Sequence, residues 1–449
     1  MNTNKLPLNT SGLKTRIVAL RLLTAIIKKH QSMDALTDNE HGHPQYLSLT
    51  TADRLLVKAI LGASLRHRAE ILQILTLLLN KKLSENAVTL ENLLIISLAQ
   101  LLYLKIPDYA IINTAVEITK KDPRLNRFSS LVNGILRNYL RKKDQLKTEI
   151  TPLKNTPQWF KNQLEEFYGI EKTNQILYKQ TLEPTLDITV KANPEIWAEK
   201  LNAIILPNQS LRLLNPKQDI THLAGFDDGQ WWVQDFSASL PAKLLGDLNG
   251  KNVVDLCAAP GGKTAQLINQ GAKVVAVDIS TNRIKRLKQN LDRLSMVAEC
   301  NIADLKNYQP TQLFEVILLD APCSSTGTIR RHPDILWTKT EEDIKKLTKL
   351  QFELLEASLN FAKENAIILF SNCSILPQEG EYLVEEFLQK HSSKIKLLPF
   401  EPSELPPELA ILINKKGYLR TTPADFYHEN DALSGMDGFF AARFLFNNH

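Results

Sequence analysis

The sequence predicts a multidomain chain: an all-α bundle, then a small α+β module, then a doubly wound, Rossmann-like α/β domain. Three observations carry this. Residues from about 12 to 145 place apolar side chains at helical spacing with almost no strand signal. From Lys251 onward, short apolar runs alternate with helical segments, the pattern of a parallel sheet covered on both faces. Between them, Thr151-Pro152 and Pro157 mark a change in composition, and 449 residues are too many for one ordinary core. The expected divisions are 1–148, 149–240 and 241–449.

Within the helical part, Leu20, Leu22, Leu23 and Ile26 form the first apolar stripe. Thr50-Thr-Ala-Asp53 resembles a capping box ahead of Leu55-Leu-Val-Lys-Ala-Ile-Leu61. Further helices are expected at 71–79, 90–104, 109–120 and 130–140, with Pro107 and Pro123 between helices, where a missing N–H does no harm. The apolar stretch 93–104 is too short to span a bilayer and contains Ser97 and Gln100, so it reads as a core helix. The middle module mixes short helices (158–167, 194–201) with strand-like runs (186–191, 231–234). In the last part, Val253-Val-Asp-Leu256, Lys273-Val-Val-Ala-Val277, Glu315-Val-Ile-Leu-Leu319 and Ala366-Ile-Ile-Leu-Phe370 are the expected parallel strands. Gly438-Phe-Phe-Ala-Ala-Arg-Phe-Leu-Phe446 is expected to close the sheet as an edge strand.

Composition excludes several classes. Hydrophobic residues make up 43%, which rules out a mostly disordered chain. The net charge of +5 decides nothing alone, but basic residues cluster at Arg137, Arg141, Lys142 and Lys143, at Arg283, Lys285, Arg286 and Lys288, and at Arg330-Arg331-His332. Such clusters suit a polyanion or a solvated helix face. The four cysteines, at 257, 300, 323 and 373, show no Cys-x-x-Cys spacing, and no histidines stand in finger-like register. A metal site or redox dithiol is therefore not expected. Residues 1–12 are polar and lack an apolar signal core, so a cytoplasmic protein without membrane or disulfide staples is expected.

The cofactor is read from Asp255-Leu-Cys-Ala-Ala-Pro-Gly-Gly-Lys-Thr264, a loop between a strand and a helix. Its small residues (Cys257, Ala258, Ala259, Pro260, Gly261, Gly262, with Lys263) let backbone approach a ligand closely. It is neither Gly-x-Gly-x-x-Gly nor a Walker loop, which disfavours a pyrophosphate. Asp278 ends the second strand seventeen residues beyond Gly261, where an acid commonly holds ribose hydroxyls, although Asp278 read alone also suits a helix N-cap. Asp304 marks the end of a third strand, where a carboxylate can accept from an adenine amine. Ribose and adenine without phosphates describe S-adenosylmethionine.

Cys323 and Cys373 each follow a buried strand, so both thiols are expected at one rim of the sheet beside Asp320, an arrangement suited to covalent chemistry. Cys257 and Cys300 read as small buried hydrophobes.

Several segments resemble the RNA cytosine-5 methyltransferases of the Nop2/Sun/RsmB type. They are the 255–264 loop, Asp320-Ala-Pro-Cys-Ser-Ser-Thr-Gly-Thr328, Arg330-Arg-His-Pro-Asp334 with Trp337, Ser371-Asn-Cys-Ser374 and Asp437-Gly-Phe-Phe440, with Val233-Gln-Asp-Phe-Ser-Ala-Ser239 leading in. The helical part is similar to NusB, through Leu98-Ala-Gln-Leu-Leu-Tyr-Leu104 and Leu131-Val-Asn-Gly-Ile-Leu-Arg137. Together they point to the RsmB (Sun/Fmu) branch, with a NusB-like RNA-binding bundle, an α+β RNA-binding module and a class I methyltransferase domain. One departure stands out: where that branch often has Arg-x-Asn, this chain has Thr189-Val-Lys191.

The resemblance implies Cys373 as the nucleophile at cytosine carbon 6, Cys323 in product release, Asp320 on the base edge and among the cofactor contacts, and Lys263 steadying the base. It implies S-adenosylmethionine as cofactor and small-subunit (16S) ribosomal RNA as partner of a monomeric enzyme. Arg330, Arg331 and His332 are the candidate grip on nucleotides beside the target. The alternatives are the same chemistry on transfer RNA, or a noncatalytic RNA-binding factor.

Overall fold

Apolar residues recurring every third or fourth position fold the first part of the chain into helices Thr10–Lys29, Thr51–Arg66, Arg68–Leu78, Val88–Tyr103, Asp108–Lys121 and Ser129–Glu149. The computed structural model describes residues 10–150, 156–214 and 219–447. The expected boundary at Thr151-Pro152 and most of the N-terminal segment lie outside them. The chain divides into two compact units. One runs to Glu166 and takes in Gln180–Leu182 and Ile329–Lys339; the other holds the remainder.

The first unit is a helical bundle. Leu22, Leu23, Ile26, Val57, Ile60, Leu61, Leu93, Leu98 and Leu136 are 0% exposed in its core. By length and composition alone, Glu85–Tyr103 could cross a membrane. It is instead the bundle's interior helix, where its buried Ser97 and Gln100 find partners. Ser97 Oγ donates to Leu93 O at 2.7 Å, Gln100 Nε2 donates to Ile96 O at 2.7 Å, and Gln100 Oε1 accepts from Arg16 Nε at 2.8 Å. Thr50 caps its helix by accepting from Asp53 N at 3.2 Å.

The segment Ile329–Lys339 packs within this unit despite its distance in sequence. Trp337 Nε1 donates to Leu65 O (2.8 Å) and Arg66 Nη2 to Arg330 O (2.9 Å). Met33 N donates to Asp334 Oδ2 (3.0 Å), and the Arg68 guanidinium lies 5.7 Å from the Trp337 ring centre.

The second unit contains two sheets. The smaller has β1 (Asp187–Val190), β2 (Ala203–Ile205), β3 (Leu211–Leu213) and β4 (Trp231–Val233) in the order β2-β3-β1-β4, all pairs antiparallel. At its centre Arg212 and Asp187 are both 0% exposed and joined by two 2.7 Å bonds. Arg212 Nη1 also donates to Leu433 O (2.6 Å) and Gly435 O (2.8 Å), while Asp187 Oδ2 accepts from Phe236 N (3.2 Å). Asp187→Ala would strand a buried guanidinium. It should lower the stability of this unit by about 3–5 kcal/mol, read as a fall in the urea midpoint.

The larger sheet comprises β5 (Asn252–Leu256), β6 (Lys273–Asp278), β7 (Glu299–Ile302), β8 (Phe314–Asp320), β9 (Ala362–Asn372), β10 (Ile395–Leu397), β11 (Leu419–Arg420) and β12 (Phe440–Phe446). Its order is β10-β12-β9-β8-β5-β6-β7, with β11 beside β12. Strands β5 to β9 pair in parallel. The expectation that the last strand forms an edge is corrected: β12 lies between β9 and β10, antiparallel to both. The reason is its apolar run, since Phe440, Ala441, Ala442 and Phe444 are each 0% exposed and need cover on both faces.

Candidate active site

The two thiols meet because two parallel strands end side by side. Asp320 of β8 stands opposite Ser371 of β9, and Ala321 N donates to Ser371 O at 2.8 Å. Cys323 follows three residues after Asp320 and Cys373 two residues after Ser371. Their sulfurs lie 3.4 Å apart. The loops interlock further where Gly327 N donates to Cys373 O (2.9 Å) and Gly438 N to Gly327 O (2.9 Å). A Cβ on Gly327 would lie 2.0 Å from Gly438 O, so the Thr-Gly-Thr and Asp-Gly-Phe-Phe segments need glycine at their crossing.

Their electrostatics divide the sulfurs. The hydrogen bond from Cys323 holds the Cys373 thiol below the ordinary cysteine range against the opposing effect of burial, with help from Ser325, whose Oγ is 3.4 Å away. The same bond, with burial, pushes Cys323 well above that range. In such a pair Cys373 loses its proton before Cys323 does. Asp320 stands beside them, one-third exposed, with Oδ2 accepting from Lys263 Nζ (2.8 Å) and Oδ1 from Ser371 Oγ (3.0 Å). Lys263 is 8% exposed, and its ammonium lies 4.8 Å from the Phe439 ring centre.

The 257–263 loop leaves the carboxyl end of β5. Ala258 N donates to Val277 O (3.1 Å) and Gly261 N to Ala258 O (2.9 Å). Gly261 has φ 102°, and a Cβ there would lie 3.1 Å from Leu287 Cγ, so the turn into helix Gly262–Asn269 requires glycine. Burial, then the charges of Asp278, Asp320 and Asp255, pushes the Cys257 thiol up to about 12, leaving it unreactive. Cys257 and Cys300 are half-buried rather than fully buried, Cys300 because β7 is an edge strand.

Asp278 does not cap the following helix; Ser280 does, accepting from Arg283 N at 3.3 Å. Asp278 instead ties the loop down. Its Oδ2 accepts from Ala259 N (3.2 Å) and pairs with Arg283 Nη1 (3.1 Å), and its Oδ1 accepts from Ser280 N (3.0 Å). The Asp278 side chain is 1% exposed, its carboxylate enclosed by these contacts. Asp304 lies two residues beyond β7, and Ile302 pairs with Asp278 across the strands. Two apolar side chains that sequence reasoning missed flank these acids: Ile279 is 68% exposed and Ile302 53%. Carboxylates and an exposed apolar wall, with no Walker-type phosphate loop, fit a nucleoside lacking phosphates. Among the described residues, no three histidine, cysteine or acidic side chains stand close enough to hold a metal ion.

Arg330, Arg331 and His332 belong to the helical unit. The expectation that they grip RNA together is corrected for Arg330, whose side chain is 1% exposed and cannot present its charge to a phosphate. His332 Nδ1 is 2.9 Å from Asp34 Oδ2, while Arg331 stays half-exposed. Sequence reasoning also missed Gln351 and Glu379, both 0% exposed. A signal existed for Gln351: in helix Glu341–Ser358 it shares the buried stripe of Ile344, Leu354 and Leu355. For Glu379 there was none.

Residues 242–445 match the family model described as 16S rRNA methyltransferase RsmB/F, and residues 13–141 match the NusB family. The chain is 34% identical over 419 residues to ribosomal RNA small subunit methyltransferase B of Pasteurella multocida (strain Pm70), covering 87% of this chain and 91% of that protein. Among solved structures, PH0851 aligns over 95% of this chain and 98% of its own at 20% identity, with a TM-score of 0.67. NSun6 from Pyrococcus horikoshii, crystallised with SFG, aligns over 65% and 99% at 18% identity, with a TM-score of 0.54. At those identities the two structures establish the fold.

Proposed function

Because the chain belongs to the RsmB family of S-adenosylmethionine-dependent ribosomal RNA methyltransferases, we propose that it methylates carbon 5 of a cytosine in 16S ribosomal RNA through a transient bond between Cys373 and the base. The observation that carries this is the pair of sulfurs 3.4 Å apart beside Asp320. A binding factor has no use for two adjacent thiols at a strand rim beside a carboxylate.

Carbon 5 of cytosine is a weak nucleophile. Addition of the Cys373 thiolate to carbon 6 forms a carbon–sulfur bond and makes carbon 5 electron-rich, dividing one hard step into easier ones. Asp320 holds the base edge and favours the protonated ring that accepts the thiolate, while Lys263 fixes Asp320. S-adenosylmethionine supplies the methyl group as an electrophile; Asp278 and Asp304 would hold its ribose and adenine, Ile279 and Ile302 would flank the ring, and the 257–263 loop would run beneath it. Methyl transfer leaves carbon 5 with both a methyl group and its proton. With Cys373 held in the carbon–sulfur bond, the hydrogen bond that raised Cys323 is gone; Cys323 gives its own proton to solvent, its thiolate takes the carbon 5 proton, the 5,6 double bond re-forms, and the bond to Cys373 breaks to return the thiolate. The cytosine must leave its stack to reach the rim, and Arg331 and the exposed Lys285 and Lys288 are the proposed phosphate contacts.

The test is product identity. Methyl-labelled S-adenosylmethionine is incubated with the protein and 16S ribosomal RNA or transfer RNA, and the RNA is digested to nucleosides. Label is expected in 5-methylcytidine from 16S RNA. Label in another nucleoside overturns the chemistry; label confined to transfer RNA overturns the substrate.

A further inference from the structure

Glu379 is 0% exposed and connects the two loops that hold the sulfurs. Its Oε1 accepts from the Ser324 backbone N–H (2.8 Å) and from Gln351 Nε2 (2.8 Å), and its Oε2 accepts from the Ser324 hydroxyl. Ser324 directly follows Cys323. On the other side, Asn372 Nδ2 donates to Gln351 Oε1 (3.2 Å) and to the Glu379 main-chain O (2.6 Å), and Asn372 Oδ1 accepts from Ser374 N (3.0 Å). The Asn372 side chain therefore brackets Cys373. Ser324, Asn372 and Ser374 are each at most 1% exposed, so water cannot replace a lost partner.

The connection is unequal. The Ser324 backbone N–H and hydroxyl both end on the carboxylate itself. The Cys373 loop keeps strand β9, the Asn372–Ser374 bond and the Glu379 main-chain oxygen whatever side chain stands at 379. Altering the carboxylate therefore disturbs Ser324, next to Cys323, first, while the Gly327–Cys373 bond still ties the two loops.

We propose that Glu379 is a positioning residue that sets Cys323 against Cys373 and so controls release of the methylated RNA. This rests on the roles proposed above for the two cysteines. Glu379→Gln keeps the shape but removes the charge: with its oxygen on the Ser324 N–H and Gln351, its amide faces the Ser324 hydroxyl, which must turn from donor to acceptor and send its own proton to Thr326 or Ser374. Adduct formation by Cys373 continues while release slows.

The experiment compares single-turnover formation of denaturation-resistant protein–RNA adduct with steady-state turnover. For Glu379→Gln, formation is expected within about twofold of the parent. Turnover is expected to fall by about tenfold, the scale of losing a buried hydrogen bond to a charged group, with adduct accumulating. A purely structural role would lower formation and turnover together, without adduct. Where Glu379→Gln yields no folded protein, Ser324→Ala keeps the backbone N–H on the carboxylate, removes the hydroxyl's bonds to Glu379, Thr326 and Ser374, and should accumulate adduct to a smaller extent. Folded Glu379→Gln, or Ser324→Ala in its place, with parental adduct levels overturns the proposal. Cys323→Ala run alongside separates the failures. If it traps adduct and the Glu379 network variants do not, only the role of Glu379 falls; if it traps none, the roles of the cysteines fall.

Discussion

Cys373→Ala abolishes methyl transfer to RNA while leaving RNA binding intact. The loss should be at least about three orders of magnitude in turnover, since removing a covalent nucleophile disables every later step. The substitution removes a small half-buried side chain at the end of β9, whose backbone pairing with β8 and β12 stays, so folding should survive. Filter binding of 16S RNA alongside label transfer separates the two effects. The lowered pKa of Cys373 adds a direction in pH. An ordinary thiol becomes protonated, and so unreactive, as pH falls through its usual range. A thiolate stabilised by Cys323 and Ser325 persists to lower pH, so adduct formation in the parent should hold up below the ordinary cysteine range. Equal activity of Cys373→Ala and the parent would refute the nucleophile assignment.

Cys323→Ala has the opposite signature. It retains the nucleophile and loses the group that serves release, so protein should remain joined to RNA through denaturing electrophoresis. Turnover should stall after about one equivalent, with the labelled methyl group carried in the adduct. The substitution also removes the hydrogen-bond donor that favours the Cys373 thiolate. The pH at which adduct forms should therefore rise toward that of an ordinary cysteine, while the adduct persists once made. A Cys323→Ala protein that turns over freely, with no adduct, would remove Cys323 from the reaction.

Most of this site was legible because its signals are local in sequence. Apolar runs of strand length ending in Asp320 and Asn372, followed by turn residues and cysteines, suffice to put both thiols at a strand end. The order β9-β8-β5 then brings them beside the 257–263 loop. What was not legible depends on partners distant in sequence. β2 and β3 are three residues each and are defined by pairing, not by periodicity. The edge assignment of the final strand gave too little weight to its unbroken apolar character. Arg330-Arg331-His332 looked like a nucleic-acid grip because charge runs usually stay solvated, yet Trp337 and Asp334 anchor that segment within the helical unit and bury Arg330. Glu379 resembled any surface acid after Pro377, and only the tertiary structure shows that Ser324, Gln351 and Asn372 converge on it.

The most direct measurement is peptide mapping of the protein–RNA adduct trapped by Cys323→Ala. After nuclease and protease digestion, mass spectrometry should find a methylated cytidine nucleotide attached to the peptide containing Cys373. A nucleotide attached to any other residue, or a trapped complex with no covalent link to RNA, would contradict the role given to Cys373.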